Sequence, residues 1–111
     1  MDTIRLTMAQ ALTKWMISQH IRQLDGSTAP AFAGVWAIFG HGNVAGLGEA
    51  LYGEKDRLPT YRGHNEQGMA HAAIAYAKQM NRRRMMAVTS SIGPGATNMV
   101  TAAALAHVNR L

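Results

Sequence analysis

The sequence predicts an α/β fold in which a parallel sheet is flanked by helices. Two observations predict it. The run Val35-Trp36-Ala37-Ile38-Phe39 is continuously apolar rather than alternating, as expected of a strand covered on both faces. After a first helix, the order strand, turn, helix then occurs three times, which is the pattern of a parallel sheet with right-handed helical crossovers. In such sheets ligands gather beyond the carboxyl ends of the strands.

Each element follows from local chemistry. Thr7-Met8-Ala9-Gln10 reads as a capping box, the Thr7 hydroxyl accepting from the Gln10 N–H while the Gln10 side chain reaches back. A helix is expected from about Thr7 to Arg22, packed on the domain through a face of Met8, Leu12, Trp15 and Met16. Asp25-Gly26-Ser27-Thr28-Ala29-Pro30 reads as a turn-rich linker. The first strand, Val35 to Phe39, leads into Gly40-His41-Gly42-Asn43-Val44-Ala45-Gly46, and a short helix follows from Leu47 to Tyr52 with Gly53 at its end. Glu54-Lys55-Asp56-Arg57 is a charged turn. Leu58 to Arg62 is the second strand.

Asn65, a good N-cap residue, opens the next helix, which runs through Gln67, Ala70, Ala73, Ile74, Ala77 and Met80. Its many Gly and Ala residues keep it slim enough for close packing. The third strand, Met85 to Thr89, ends at Ser90-Ser91, and Gly93-Pro94-Gly95 turns into a helix from about Ala96 to His107. Three strands make a thin sheet for this class, and no strand follows the last helix. A truncated domain is therefore expected.

Composition narrows the function classes. The 111 residues suffice for one small domain. Hydrophobic residues make up 48%, but charged ones only 15%, against about 25% in an ordinary soluble domain. Part of the surface is thus expected to be covered by further chain or a partner subunit. The net charge of +5 has one local concentration, Arg82-Arg83-Arg84. No aromatic residues interleave with it, so it reads as a solvated turn and no nucleic-acid partner is expected. The absence of cysteine excludes disulfides, thiolate nucleophiles and zinc–thiolate sites. The N-terminal segment lacks the apolar core of a signal peptide, and no apolar run approaches 18 residues. A cytoplasmic protein with no membrane association is expected.

Several motifs invite chemistry. Gly40-His41-Gly42-Asn43-Val44-Ala45 matches the G-x-G-x-x-A dinucleotide fingerprint, but the acidic residue expected about 20 residues on, at the end of the next strand, is missing. A glycine-permitted tight turn explains the run equally well. Ser90 and Ser91 lack the G-x-S-x-G setting of a nucleophile elbow. His64, Glu66 and His71 lack the H-E-x-x-H spacing of a zinc helix, so no metal ligands are assigned. Glu66 is the sharpest candidate. It stands at a helix start, where the helix dipole alone favours a carboxylate, and where a partly desolvated one could exchange a proton with a ligand nitrogen.

Together these residues resemble the N-terminal, pyrimidine-binding domain of thiamine-diphosphate-dependent enzymes of the acetolactate-synthase-like superfamily. Members carry a His-Glu or Asn-Glu pair that opens an Ala-rich helix, matched by Asn65-Glu66-Gln67-Gly68-Met69-Ala70-His71-Ala72-Ala73. They also carry T-S-x-G-P-G-x-x-N, matched with one extra residue by Thr89-Ser90-Ser91-Ile92-Gly93-Pro94-Gly95-Ala96-Thr97-Asn98. The likeness covers nearly the whole chain. Many relatives have Pro near Gly42, where this chain has His41-Gly42-Asn43. That departure favours the inositol-catabolism branch, whose members hydrolyse a carbon–carbon bond of a cyclic diketone.

The resemblance implies thiamine diphosphate as cofactor, with Glu66 catalytic. Glu66 would hydrogen-bond a pyrimidine nitrogen and promote the tautomer that activates the thiazolium carbon. It also implies cofactor contacts from Gly93, Pro94, Gly95 and Asn98, and makes His41 and His64 candidate substrate contacts. The diphosphate and Mg2+ sites would lie in a separate C-terminal domain, and the cofactor between subunits of a homo-oligomer. The chain alone is expected to be inactive. Two readings stay open beside this one: an acetolactate-synthase-like fragment, and a non-catalytic α/β binding module.

Overall fold

A computed structural model describes residues 3–111; Met1 and Asp2, read above with the N-terminal segment, lie outside it. The elements in chain order are helix α1 (Met8–Ser18), strands β1 (His20–Arg22), β2 (Thr28–Pro30) and β3 (Phe32–Ala37), helix α2 (His41–Asn43), a π-helical turn (Val44–Gly48), helix α3 (Glu49–Gly53), strand β4 (Thr60–Arg62), helix α4 (Glu66–Gln79), strand β5 (Met85–Thr89), and helices α5 (Pro94–Asn98) and α6 (Val100–Val108). Strands β4, β3 and β5 form a parallel sheet in that order. The chain therefore leaves the central strand β3 for one edge, then crosses through α4 to the other.

The predicted parallel sheet with flanking helices is present, and its two faces carry separate cores. On one face Met16, Val35, Ala37, Leu51 and Leu58 are buried together, with Phe32, Phe39 and Ala87 against them. On the other, Ala70, Ile74 and Ala102 meet Val88, Met99 and Ala106. Neighbouring residues of β5, Ala87 and Val88, thus serve opposite cores, as the two-residue repeat of a strand requires. An irregularity in the β3–β5 register between Phe32 and Val35 lets these two residues, three apart, join the same core.

Several sequence expectations hold in detail. Thr7 and Gln10 form both arms of the capping box, at 3.0 and 3.2 Å. The third strand matches β5, and Asn65 caps α4 by accepting from the Gly68 N–H at 2.8 Å. Arg82-Arg83-Arg84 is a turn between α4 and β5. It also serves as a latch, Arg82 donating to the Asn109 carbonyl and Arg84 to that of Pro30.

Others are corrected. The first helix stops at Ser18, not Arg22. Ser18 Oγ and Gln19 Nε2 both bond the Trp15 carbonyl, and Gln19 turns extended. Residues His20–Arg22 then pair antiparallel with Thr28–Pro30, so the presumed linker is half of a hairpin. The buried face of α1 is Thr13 and Met16, whereas Met8, Leu12 and Trp15 are 83%, 45% and 54% exposed. Thr13 tolerates burial because its hydroxyl bonds the Ala9 carbonyl at 2.9 Å.

The glycine-rich stretch after the first strand is not an open loop. It is helical from His41, through the π-turn, to Gly53. The last predicted helix begins two residues early, at Pro94, and is broken at Met99 by a tightened turn in which the Met99 N–H bonds Ala96 O.

Candidate functional site

Three turns meet at the carboxyl edge of the sheet. The turn after β4 carries Gly63, His64 and Asn65, and delivers Glu66 as the first residue of α4. Helix α4 crosses to the β5 side, so its start faces the turn Ser90–Gly93 that follows β5. The turn after β3 lies alongside. The Ile38 N–H bonds Thr89 O at 3.3 Å, and the Cα of Gly40 lies so near the next turn that a Cβ there would come within 3.3 Å of Ser91 Cβ.

Glu66 is the centre of this arrangement. Ser91 Oγ donates to its Oε1 at 3.3 Å, and Asn98 Nδ2 donates to its Oε2 at 3.4 Å. All three residues are partly buried. Among the described residues Glu66 forms no ion pair; the two salt bridges, Lys14–Glu54 and Arg57–Glu54, belong to α1 and the end of α3. The carboxylate is thus held by neutral donors, one to each oxygen, and keeps lone pairs for a ligand.

The local sequence explains the geometry. Gly93 has φ +59°, a conformation that L side chains rarely adopt, and this sharp turn brings β5 back into α5. Pro94 follows at the first helical turn, where its missing N–H costs nothing. Thr97 closes the turn, its hydroxyl and N–H both bonding Gly93 O at 3.0 and 2.9 Å. Gly95 is buried, and a Cβ on it would overlap both Ser91 Oγ and Glu66 Oε1. The glycine is what leaves room for that contact.

The site residues read from the sequence therefore divide. Glu66, Gly95 and Asn98 come together, with Gly93 and Pro94 shaping the turn that places them. His41 and His64 do not join them. His64 lines a hollow of about 490 Å3 with Ala37, Ile38, Phe39 and Arg62. His41 lines a second one of about 570 Å3 with Phe39, Gly40, Ser91 and Ile92. Phe39 and Val44 border both hollows. Both are exposed.

Ser91 is the residue that sequence reasoning missed: it was weighed as a nucleophile and quoted within the motif that runs from Thr89 to Asn98, but given no role in the site. Its place in the segment Thr89–Asn98 was the available signal. Among the described residues no group of three or more His, Cys, Asp or Glu side chains converges as a metal site. No helix among them is long and apolar enough to cross a membrane.

Residues 31–111 match the family described as thiamine pyrophosphate enzyme, N-terminal TPP binding domain. The whole chain is 56% identical to the 3D-(3,5/4)-trihydroxycyclohexane-1,2-dione hydrolase of Geobacillus thermodenitrificans and 54% identical to that of Clostridium tetani. Over 109 residues, 98% of the chain, it is 55% identical to the enzyme of the same name from Listeria innocua. In each case the chain spans 17% of the relative's length. No solved structure matches the chain.

Proposed function

The chain belongs to the thiamine pyrophosphate (thiamine diphosphate) enzyme family through its N-terminal TPP binding domain, and from that premise we propose that it is the pyrimidine-binding part of a hydrolase that opens a polyhydroxylated cyclohexane-1,2-dione. The observation that carries this reading is the Glu66 carboxylate, bonded on each oxygen by a residue of the turn and helix after β5. The hydrolase names of relatives identical at more than half of the positions support the substrate class.

The donor set fits the pyrimidine half of the cofactor. A carboxyl group held at a partly buried helix start can hydrogen-bond a weakly basic ring nitrogen and exchange a proton with it. When bound, thiamine diphosphate supplies a nucleophilic carbon for attack on a carbonyl. The part of this chain is narrower. Glu66 holds and returns the proton at the ring nitrogen, Asn98 and Ser91 hold Glu66, and Gly93-Pro94-Gly95 lets backbone approach the ring. His64 and His41, on the rims of the two hollows, are the candidate contacts for the hydroxyl-rich substrate, with Arg62 beside His64. Hydrolysis between adjacent carbonyl carbons adds one water and leaves a carboxylic acid and an aldehyde at the two ends of one chain.

The remaining parts belong to chain beyond this segment. The diphosphate and Mg2+ sites are assigned to a C-terminal domain, with the cofactor shared between subunits of a homo-oligomer in the cytoplasm. Residues 1–111 are taken as one domain because Met16 of α1 shares a core with Val35 and Ala37 of β3. The test is Glu66→Gln in the full-length enzyme carrying this segment. Turnover of the cyclic dione is expected to fall about 100-fold or more, the usual loss for an acid–base group. Near-wild-type turnover would remove Glu66 from the mechanism. Thiamine-diphosphate-dependent turnover by the 111 residues alone would refute the half-site.

A further inference from the structure

We propose that Ser91 is the positioning residue of Glu66, and that its hydroxyl directs the exchanged proton to Oε1. The inference rests on the cofactor reading above and deepens it. Its basis is the different chemistry of the two partners. Asn98 meets Oε2 through an amide N–H2, which only donates and so favours Oε2 as the carbonyl oxygen of the protonated group. Ser91 meets Oε1 through a hydroxyl, which donates and accepts by rotating about its C–O bond. Oε1 can therefore gain or lose a proton without losing its partner. The proton given to the ligand nitrogen leaves Oε1, and the same oxygen takes it back.

Placement supports the assignment. Of the two adjacent serines only Ser91 reaches Glu66, and the Glu66 contact is the one side-chain hydrogen bond of Ser91 among the described residues. Gly95 is buried where any Cβ would fill the space in which Ser91 Oγ and Glu66 Oε1 meet. Ser91 also lines the hollow that contains His41.

The test is a double-mutant cycle on thiamine diphosphate affinity, measured by calorimetry with the full-length enzyme, which separates coupling from general damage. Ser91→Ala is expected to weaken binding about five- to tenfold, the worth of one ordinary side-chain hydrogen bond. The same substitution should cost nothing further in a Glu66→Ala background, which removes both carboxyl oxygens. Ser91→Thr should restore affinity, and Ser90→Ala should leave it unchanged. An equal loss in both backgrounds would mean a merely structural role and would overturn the proposal, as would no loss at all.

A second measurement needs no cofactor. In the ligand-free chain, the 13C carboxyl resonance of Glu66 should move on Ser91→Ala and stay in place on Ser90→Ala. If the wild type binds no thiamine diphosphate, the cofactor reading falls and the proton assignment with it. The carboxyl resonance then decides the Ser91–Glu66 pairing separately, and an unmoved resonance overturns it.

Discussion

At the scale of single residues, the site depends on an absent atom as much as on a carboxylate. Gly95 supplies no functional group, yet a single methyl there would intrude on Ser91 Oγ and Glu66 Oε1 together. Gly95→Ala is therefore expected to lower turnover of the full-length enzyme by on the order of 10²-fold, the usual result of misplacing a reacting group by about 1 Å. Adding Ser91→Gly frees part of the space and should recover a fraction of the loss. Steady-state kinetics of the two variants checks this. Glu66 was legible in the sequence as a carboxylate at a helix start. Its partners were not, because Ser91 and Asn98 lie 25 and 32 residues away, and only the crossing of α4 over the sheet brings them near.

At the scale of elements, legibility followed the range of the interactions. The capping box of α1, the Asn65 cap of α4 and the strand β5 were readable because each is decided within a few residues. The buried face of α1 was not. Trp15 is the largest apolar side chain on that helix, but it stays 54% exposed, tilted against Phe32 with ring centroids 5.9 Å apart. The site is decided instead by Met16 meeting Leu51 and Leu58. The hairpin of β1 and β2 was missed for the same reason: three-residue strands leave no periodic trace.

Leu51, 1% exposed, is the anchor of α3 in this core. Leu51→Ala is expected to destabilise the chain by about 2–5 kcal/mol through lost burial and a residual cavity. Urea denaturation measures it, and a change under about 1 kcal/mol would mean that the core collapses freely around the gap.

At the scale of the whole molecule, one ion pair joins the N-terminal helix to the body. Lys14 Nζ donates to Glu54 Oε1 at 2.9 Å, just beyond the end of α3. The Lys14 hydrogen bond and charge, with help from Arg57, hold the Glu54 carboxyl below its ordinary value of 4.5. Because the folded state favours the ionised form, the contribution is present above the unfolded value and is lost as pH falls through the folded one. Glu54→Gln should therefore lower Tm at pH 7, and the difference from wild type should shrink and vanish as the pH falls below 4.5 and through the lowered Glu54 value. A difference that does not shrink as the pH is lowered would show that Glu54 acts through packing.

The sequence alone determined the class of the fold, the strand–turn–helix order and the starts of α1 and α4, and so placed Glu66 at a helix start. These depend on periodicity, caps and turn residues, all interactions between near neighbours in the chain. Tertiary structure alone decided the strand order β4-β3-β5, the face on which α1 is buried, and the separation of His41 from His64 into two hollows. It also decided that Ser91, of the two serines, reaches Glu66. Those outcomes depend on which distant segments share space. Close packing makes that a property of the whole sheet and its two helical layers, which no local stretch encodes.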